Sequence, residues 1–202
     1  MSSLKTKLFG STVESPPKIF FFDVETTGTD PNFHEIIQFA GILDINKETV
    51  WEFNKIIRPE YPCRIHPDAT KTHGITIDQL QKGIKYDELH YRIVKHLSFH
   101  IDKYNPNDKA FPCAFNGSFD YSFLSSLWSR CNDVFLGSLF NHKIIDPLAL
   151  FRFLSAKYEW TLENMKLSTI ANALNIPINA HDAMSDTKVL REITYTILGN
   201  LV

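Results

Sequence analysis

The chain has 202 residues, 44% hydrophobic and 22% charged, with eight glycines and ten prolines. That is enough apolar material for one full core, and it excludes a disordered tail, a collagen-like fibre and a disulfide-stapled miniprotein. The net charge of −2 argues against a protein that only coats nucleic acid, though not against an enzyme that meets nucleic acid through bound metal ions carrying their own charge.

Met1–Pro17 lacks the long apolar stretch of a secretory signal and reads as a short flexible arm. No run reaches the length of a membrane span. From Lys18 to Val202 there is no internal repeat, and the segment reads as one domain. Lys-Ile-Phe-Phe-Phe-Asp-Val-Glu, from Lys18 to Glu25, predicts a buried strand whose C-terminal end lies at Asp23. Ile36–Ile45 and Val50–Arg58 predict two more strands, and the Asn46-Lys47-Glu48 turn between them predicts an antiparallel hairpin. Pro59 and Pro62 end this meander.

Leu89, Ile93, Leu97 and Ile101 recur at helical spacing and predict a helix over Tyr86–Tyr104, with His96 and His100 one turn apart. A short strand follows at Ala110–Phe115, then a helix over Ser118–Arg130 and a short apolar run at Lys143–Asp146. Helices over Leu148–Tyr158, Leu162–Leu174 and Ala183–Leu198 complete the chain. A three-stranded meander leading into alternating helices and short strands is an α/β layered fold with a mixed sheet. The three cysteines, Cys63, Cys113 and Cys131, form no CxxC pair and fit a reducing, cytoplasmic setting.

Acids stand at three apolar junctions: Asp23 with Glu25, Asp120 after Phe119, and Asp186 after His181. Asp23 and Glu25 are two apart, so both leave one face of an extended strand. Carboxylates aimed together repel unless a cation joins them, and oxygen donors suit Mg²⁺ or Mn²⁺. His181 and Asp186 would lie about 140° apart on a single helix. Pro177 and Asn179 instead place His181 in a loop, with Asp182 as N-cap and Asp186 in the opening turns. A helix N-terminus then favours the Asp186 anion and a neutral His181. Cys63, His66 and His73 offer a weaker, zinc-like set, and Asp146, at the end of an apolar run, is a structural acid.

In order, Asp23-Val24-Glu25-Thr26-Thr27-Gly28, Asn116-Gly117-Ser118-Phe119-Asp120 and His181-x4-Asp186 resemble the three exonuclease motifs of the DEDDh family, which includes the epsilon proofreading subunit of bacterial replicative DNA polymerase. Thr72-His73-Gly74-Ile75-Thr76 and Ile145–Leu150 are similar to further family landmarks, and the likeness runs from about Lys18 to Leu198. It implies a ribonuclease H-like fold and a two-metal 3′–5′ exonuclease that releases nucleoside 5′-monophosphates from single-stranded DNA or unpaired 3′ ends. By this resemblance Asp23 bridges two Mg²⁺ or Mn²⁺ ions, Glu25 and Asp186 hold the ion that activates water, Asp120 holds the second, and His181 takes the proton. It also implies substrate contacts from Thr26 and Thr27 at the 3′ end, from His73 at the terminal nucleotide, and from Asn116 and Phe119.

Two alternatives stand beside this reading. One is an RNA exonuclease of the ribonuclease T or oligoribonuclease kind. The other is a non-catalytic nucleic-acid or polymerase-binding module, against which the presence of every acid and of His181 counts. Val202 follows Asp186 by only sixteen residues, which leaves no room for an epsilon-type C-terminal tether. The expectation is therefore a free-standing monomer or homodimer that needs no polymerase subunit.

Overall fold

Phe20, Phe21 and Phe22 are completely buried, and they put their strand at the centre of the molecule. The computed structural model describes residues 17–179 and 182–200, so the Met1–Pro17 arm lies almost wholly outside the described residues. The strands are β1 (Lys18–Thr26), β2 (Ile36–Ile45), β3 (Glu48–Ile56) and β4 (Phe111–Cys113). The helices among the described residues are α1 (Pro67–His73), α2 (Ile77–Gln81), α3 (Tyr86–Leu97), α4 (Ser118–Arg130), α5 (Pro147–Tyr158), α6 (Leu167–Ala173) and α7 (Ala183–Asn200).

The four strands form one sheet in the order β3-β2-β1-β4, antiparallel except for the β1–β4 pair. This is the mixed α/β sheet expected. A strand covered on both faces has no polar side, hence the continuous apolar run of β1. Alternation still sorts its side chains. Phe20, Phe22 and Val24 join a core with Leu89 and Ile93 of α3 and Phe123 and Leu127 of α4. Ile19 and Phe21 pack on the other face with Leu190 and Tyr195 of α7. By the same parity Asp23 and Glu25 emerge on the α7 side.

Several boundaries differ from expectation, each for a local reason. β1 continues past Asp23 to Thr26, because β2 pairs with it out to Glu25↔Gln38 before a register shift. The hairpin turn needs only Asn46 and Lys47, both at positive φ (53° and 70°) as in a two-residue primed turn, so β3 starts at Glu48. β4 is short and lies at the sheet edge, where Pro112 has no N–H to miss. Lys143–Asp146 adds a single bridge, Cys113↔Ile145, before Asp146 turns to cap α5 by accepting the Leu148 N–H at 3.0 Å.

The helix expected to reach Tyr104 stops at Leu97. The amides of Phe99 and His100 fold back onto the carbonyls of His96 and Leu97. Asp108 then pins the turn by accepting the Asp102 amide at 2.8 Å and the Lys18 ammonium. His96 stacks on Trp51 with ring centroids 4.8 Å apart, and His100 lies beyond the helix end, so the two histidines share no helix face. α6 starts at Leu167 rather than Leu162, where Asn164 accepts the Lys166 amide at 3.0 Å and the Thr169 hydroxyl at 2.6 Å. α1 and α2 occupy a stretch to which the apolar pattern assigns no element, and His73 is the last residue of α1.

One buried anion ties α7 to the sheet. Asp44 of β2 is fully buried and accepts from Arg191 Nε at 2.7 Å, the Tyr195 hydroxyl at 2.7 Å and the Thr49 hydroxyl at 2.8 Å. Removing the counter-charge strands the carboxylate, whereas removing one neutral donor does not. Arg191→Met should therefore cost about 3 kcal/mol and Thr49→Val about 1 kcal/mol. Urea unfolding of the two variants checks the order, and equal losses would contradict it.

Candidate active site

α7 lays its first turn over the face of β1 that carries Asp23 and Glu25, and Asp186 comes from that turn. One carboxylate oxygen from each of Asp23, Glu25 and Asp186 lies within 4.8 Å of the others, and all three residues are partly buried. Asp120 reaches the same strand end from the first turn of α4. It is 4% exposed and accepts the N–H of Val24, the residue between Asp23 and Glu25, at 3.2 Å. Asp182 accepts the Ser185 N–H at 2.9 Å, which is the N-cap expected for α7. His181 lies outside the described residues.

Burial dominates the electrostatics, and like charge adds to it. Burial pushes the Asp23 carboxyl well above the usual range, and Asp120, Asp186 and Glu25 push it further. Glu25 is raised to about 7 by burial, then by Asp186 and Asp120. Asp120 is raised to about 7, again chiefly by burial, against the opposing Val24 N–H and with an added push from Asp146. Asp146 is otherwise structural. Besides capping α5 it accepts the Asn116 N–H at 3.1 Å.

Carboxylate oxygens are the donors Mg²⁺ and Mn²⁺ select, and a divalent charge would offset both the burial and the repulsion that raise these pKa values. The donor set therefore fits such an ion. Cys63, His66 and His73 do not converge as a metal set among the described residues. The cysteines are free, and Cys63 is exposed.

Beside the acids opens a cleft of about 420 Å³ whose lining includes Glu25, Thr26, His34, His66, His73 and Phe119. His73 Nδ1 accepts the Ile75 N–H at 2.9 Å, and burial lowers its pKa. The ring is thus neutral with its proton on Nε2, a buried donor without a partner among the described residues. Phe119 is half-buried and leans on Phe123 with centroids 5.0 Å apart. Thr26 Oγ1 donates to the Gly28 carbonyl at 2.7 Å.

Not every expected contact residue faces this space. Thr27 is completely buried, its N–H donating to the Glu35 carbonyl at 2.8 Å and its hydroxyl accepting the Glu35 N–H at 2.9 Å. Asn116 is exposed at the start of α4, in the left-handed region at φ 55°. Sequence reading missed His34. Its ring lies against the backbone of Gly28, where a Cβ would come within 2.4 Å of Nε2, so Gly28 gives the cleft one wall.

A pH dependence follows from the raised carboxyls. Because the Glu25 pKa rises from 4.5 to about 7 on folding, its protonated form stabilises the metal-free fold at low pH, and that contribution is lost as pH rises through about 7. Glu25→Gln should melt close to the wild type near pH 4.5 and, in EDTA at pH 8, about 5 °C higher. Thermal melts at the two pH values measure this, and a variant no more stable than wild type at pH 8 contradicts it.

Comparison with known proteins agrees with this geometry. The family model RNase_T, described as Exonuclease, matches residues 20–194. Among curated proteins, the PolC-type DNA polymerase III of Caldanaerobacter subterraneus subsp. tengcongensis is 30% identical over 181 residues, 89% of this chain and 11% of the polymerase. That of Mycoplasmopsis pulmonis is 28% identical over 202 residues, 98% of this chain and 12% of the polymerase. The chain thus spans about a tenth of these relatives. Among solved structures, E. coli exonuclease I in complex with a dT13 oligonucleotide has a TM-score of 0.75 at 21% identity, over 90% of this chain and 40% of that one. A zinc-bound E. coli exonuclease I–single-stranded DNA complex has a TM-score of 0.78 at 20% identity, over 92% of this chain and 41% of that one. The chain belongs to the RNase T, or DnaQ-like, exonuclease family and has its ribonuclease H-like fold.

Proposed function

We propose that residues 18–202 form one metal-dependent 3′–5′ exonuclease unit that releases nucleoside 5′-monophosphates from single-stranded DNA or unpaired 3′ ends. The observation that carries this reading is the meeting of Asp23, Glu25 and Asp186 within 4.8 Å, with Asp120 adding its charge to the same strand end. Asp23, Glu25 and Asp186 would hold one Mg²⁺ or Mn²⁺, and Asp23 with Asp120 a second. Such ions lower the pKa of water and neutralise charge on the entering and leaving oxygens of an in-line displacement at phosphorus.

The chain's own residues do the rest. Thr26, His73 and Phe119 line a cleft beside the acids, in which the terminal nucleotide sits. The unpartnered His73 Nε2–H donates to it, and Phe119 offers a ring to its base or sugar. Asn116 and Thr27 set the two backbone turns that border this space, through Asp146 and Glu35 respectively. His181, two residues before α7, takes the proton from the attacking water as general base. All these groups are on one chain, so activity needs no polymerase subunit, and a monomer or homodimer suffices. The three free cysteines accord with a cytoplasmic setting. Among the described residues, no helix is long and apolar enough to cross a membrane.

The purified chain should therefore digest a single-stranded oligonucleotide with Mg²⁺ or Mn²⁺ and stop in EDTA. A 3′-terminal label should leave as a mononucleotide before a 5′ label shortens below a ladder. Parallel DNA and RNA substrates decide the sugar preference. Asp23→Ala should retain no more than about one per cent of turnover, as expected when a shared metal ligand is removed. His181→Ala should lose roughly a hundredfold while still binding Mn²⁺. Substantial activity in folded Asp23→Ala would overturn the metal assignment. An unchanged acidic limb of the pH–rate profile in His181→Ala would overturn the base.

A further inference from the structure

Phe33 and Tyr61 are 48% and 45% exposed, yet they come together around one cation. The Arg64 guanidinium carbon lies 4.6 Å from the Phe33 ring centroid and 4.0 Å from that of Tyr61. The rings belong to different loops, Phe33 to the β1–β2 connection and Tyr61 to the segment after β3. Exposed aromatics on separate loops stay together only if something holds the loops, and here the hold is buried. Glu35 is 1% exposed and accepts the amides of Glu60 and Tyr61 at 3.0 Å each. Arg130 of α4 donates to the His34 carbonyl at 2.9 Å and stands 3.8 Å from the Glu35 carboxylate. Arg64 closes the group by donating to the Phe33 carbonyl at 3.1 Å.

The group adjoins the cleft. The His34 ring meets the Phe33 ring edge-on at 5.1 Å, and the His66 N–H donates to the Thr27 carbonyl at 2.7 Å. His34 and His66 both line the cleft that holds Glu25 and His73. The aromatic group thus borders the cleft proposed above for the terminal nucleotide.

We propose that Phe33, Arg64 and Tyr61 form a ledge on which an unpaired base upstream of the terminal nucleotide stacks, so that the protein grips single-stranded nucleic acid. The proposal rests on the exonuclease reading of the neighbouring acids. Every base has a π-face, so aromatic rings hold a strand without reading its sequence. The planar guanidinium adds a stacking surface and a positive charge, which a chain of net charge −2 must supply locally to hold phosphates. A duplex keeps its bases stacked inside, so the ledge selects for unpaired strand. The Glu35 and Arg130 holds fix the ledge before substrate arrives, which reduces the ordering cost of binding.

The test uses the full chain with Ca²⁺ in place of Mg²⁺ or Mn²⁺, intactness of the strand being checked on a gel. The probe is the octanucleotide dT8 with 2-aminopurine at each of the three positions nearest the 3′ end in turn. In the wild type, 2-aminopurine fluorescence should be quenched by stacking at one position upstream of the terminus. The double variant Phe33→Ala/Tyr61→Ala should lose that quench, bind dT8 roughly five- to hundredfold more weakly, and gain less affinity than wild type on going from dT2 to dT8. Arg64→Lys keeps the charge without the planar face and should weaken binding less than Arg64→Ala. Phe33→Leu keeps apolar cover without a π-face and serves if the double variant fails to fold. Folded variants that bind and quench like the wild type overturn the ledge while leaving the exonuclease reading intact. A wild type that does not bind dT8 overturns the ledge too. A wild type that binds through the ledge but digests neither DNA nor RNA with Mn²⁺ overturns the exonuclease reading alone.

Discussion

Burial at the C-terminal end of β1, with a further push from neighbouring carboxylates (Asp186 and Asp120 on Glu25, Asp146 on Asp120), raises Glu25 and Asp120 to about 7. A fold left to minimise its own free energy would not gather these groups, so the surrounding structure must hold them. It does so from three directions. β1 is locked between β2 and β4. α4 is bound to β1 where Asp120 takes the Val24 N–H. α7 is anchored across the sheet by Asp44 with Arg191 and Tyr195. Stability in the middle of α7 thus maintains an unfavourable arrangement at its N-terminal turn.

The same frame shapes the space beside the acids. Gly28 lets the His34 ring lie on the backbone, and the left-handed Gly74 (φ 67°) ends α1 just after His73. The cleft therefore sits between the β1–β2 connection and α1, with Glu25 on one side. An unpartnered histidine donor and a half-buried phenylalanine there suit a nucleotide better than an apolar ligand, because the donor would go unsatisfied against the latter.

Much of this was legible in the sequence wherever one signal decided the outcome. Ser118–Arg130 was readable to its ends, because a glycine-led turn precedes it and its apolar positions recur at helical spacing. Asp23 and Glu25 could be placed together by parity alone, and Asp182 could be read as the cap of α7. What escaped needed tertiary information or went unread. α1 and α2 carry few apolar residues, yet Pro67 at the first helical turn, Gly74 after the last, and the Thr76–Gln79 capping box announce them to a reader of caps rather than of periodicity. α3 overran because Ile101 keeps its helical spacing and its burial after the backbone has turned. Glu35 and Arg130, which tie two loops together, are isolated charges in the sequence, and only the fold brings them to Tyr61 and His34. The sequence motif also put Thr27 at the substrate's 3′ end, whereas its N–H and hydroxyl are both engaged with the backbone of Glu35.

If the raised carboxyls hold a cation, binding the ion must displace their protons. Titrating the full chain with Mn²⁺ calorimetrically at pH 6.5, in two buffers of different ionisation enthalpy, counts the protons displaced per ion. With Glu25 and Asp120 near 7, binding should release roughly one proton or more at pH 6.5 and almost none at pH 9, and Asp23→Asn should abolish the high-affinity phase. Mn²⁺ binding with the same proton count at both pH values, or undiminished by Asp23→Asn, would contradict the assignment of the site.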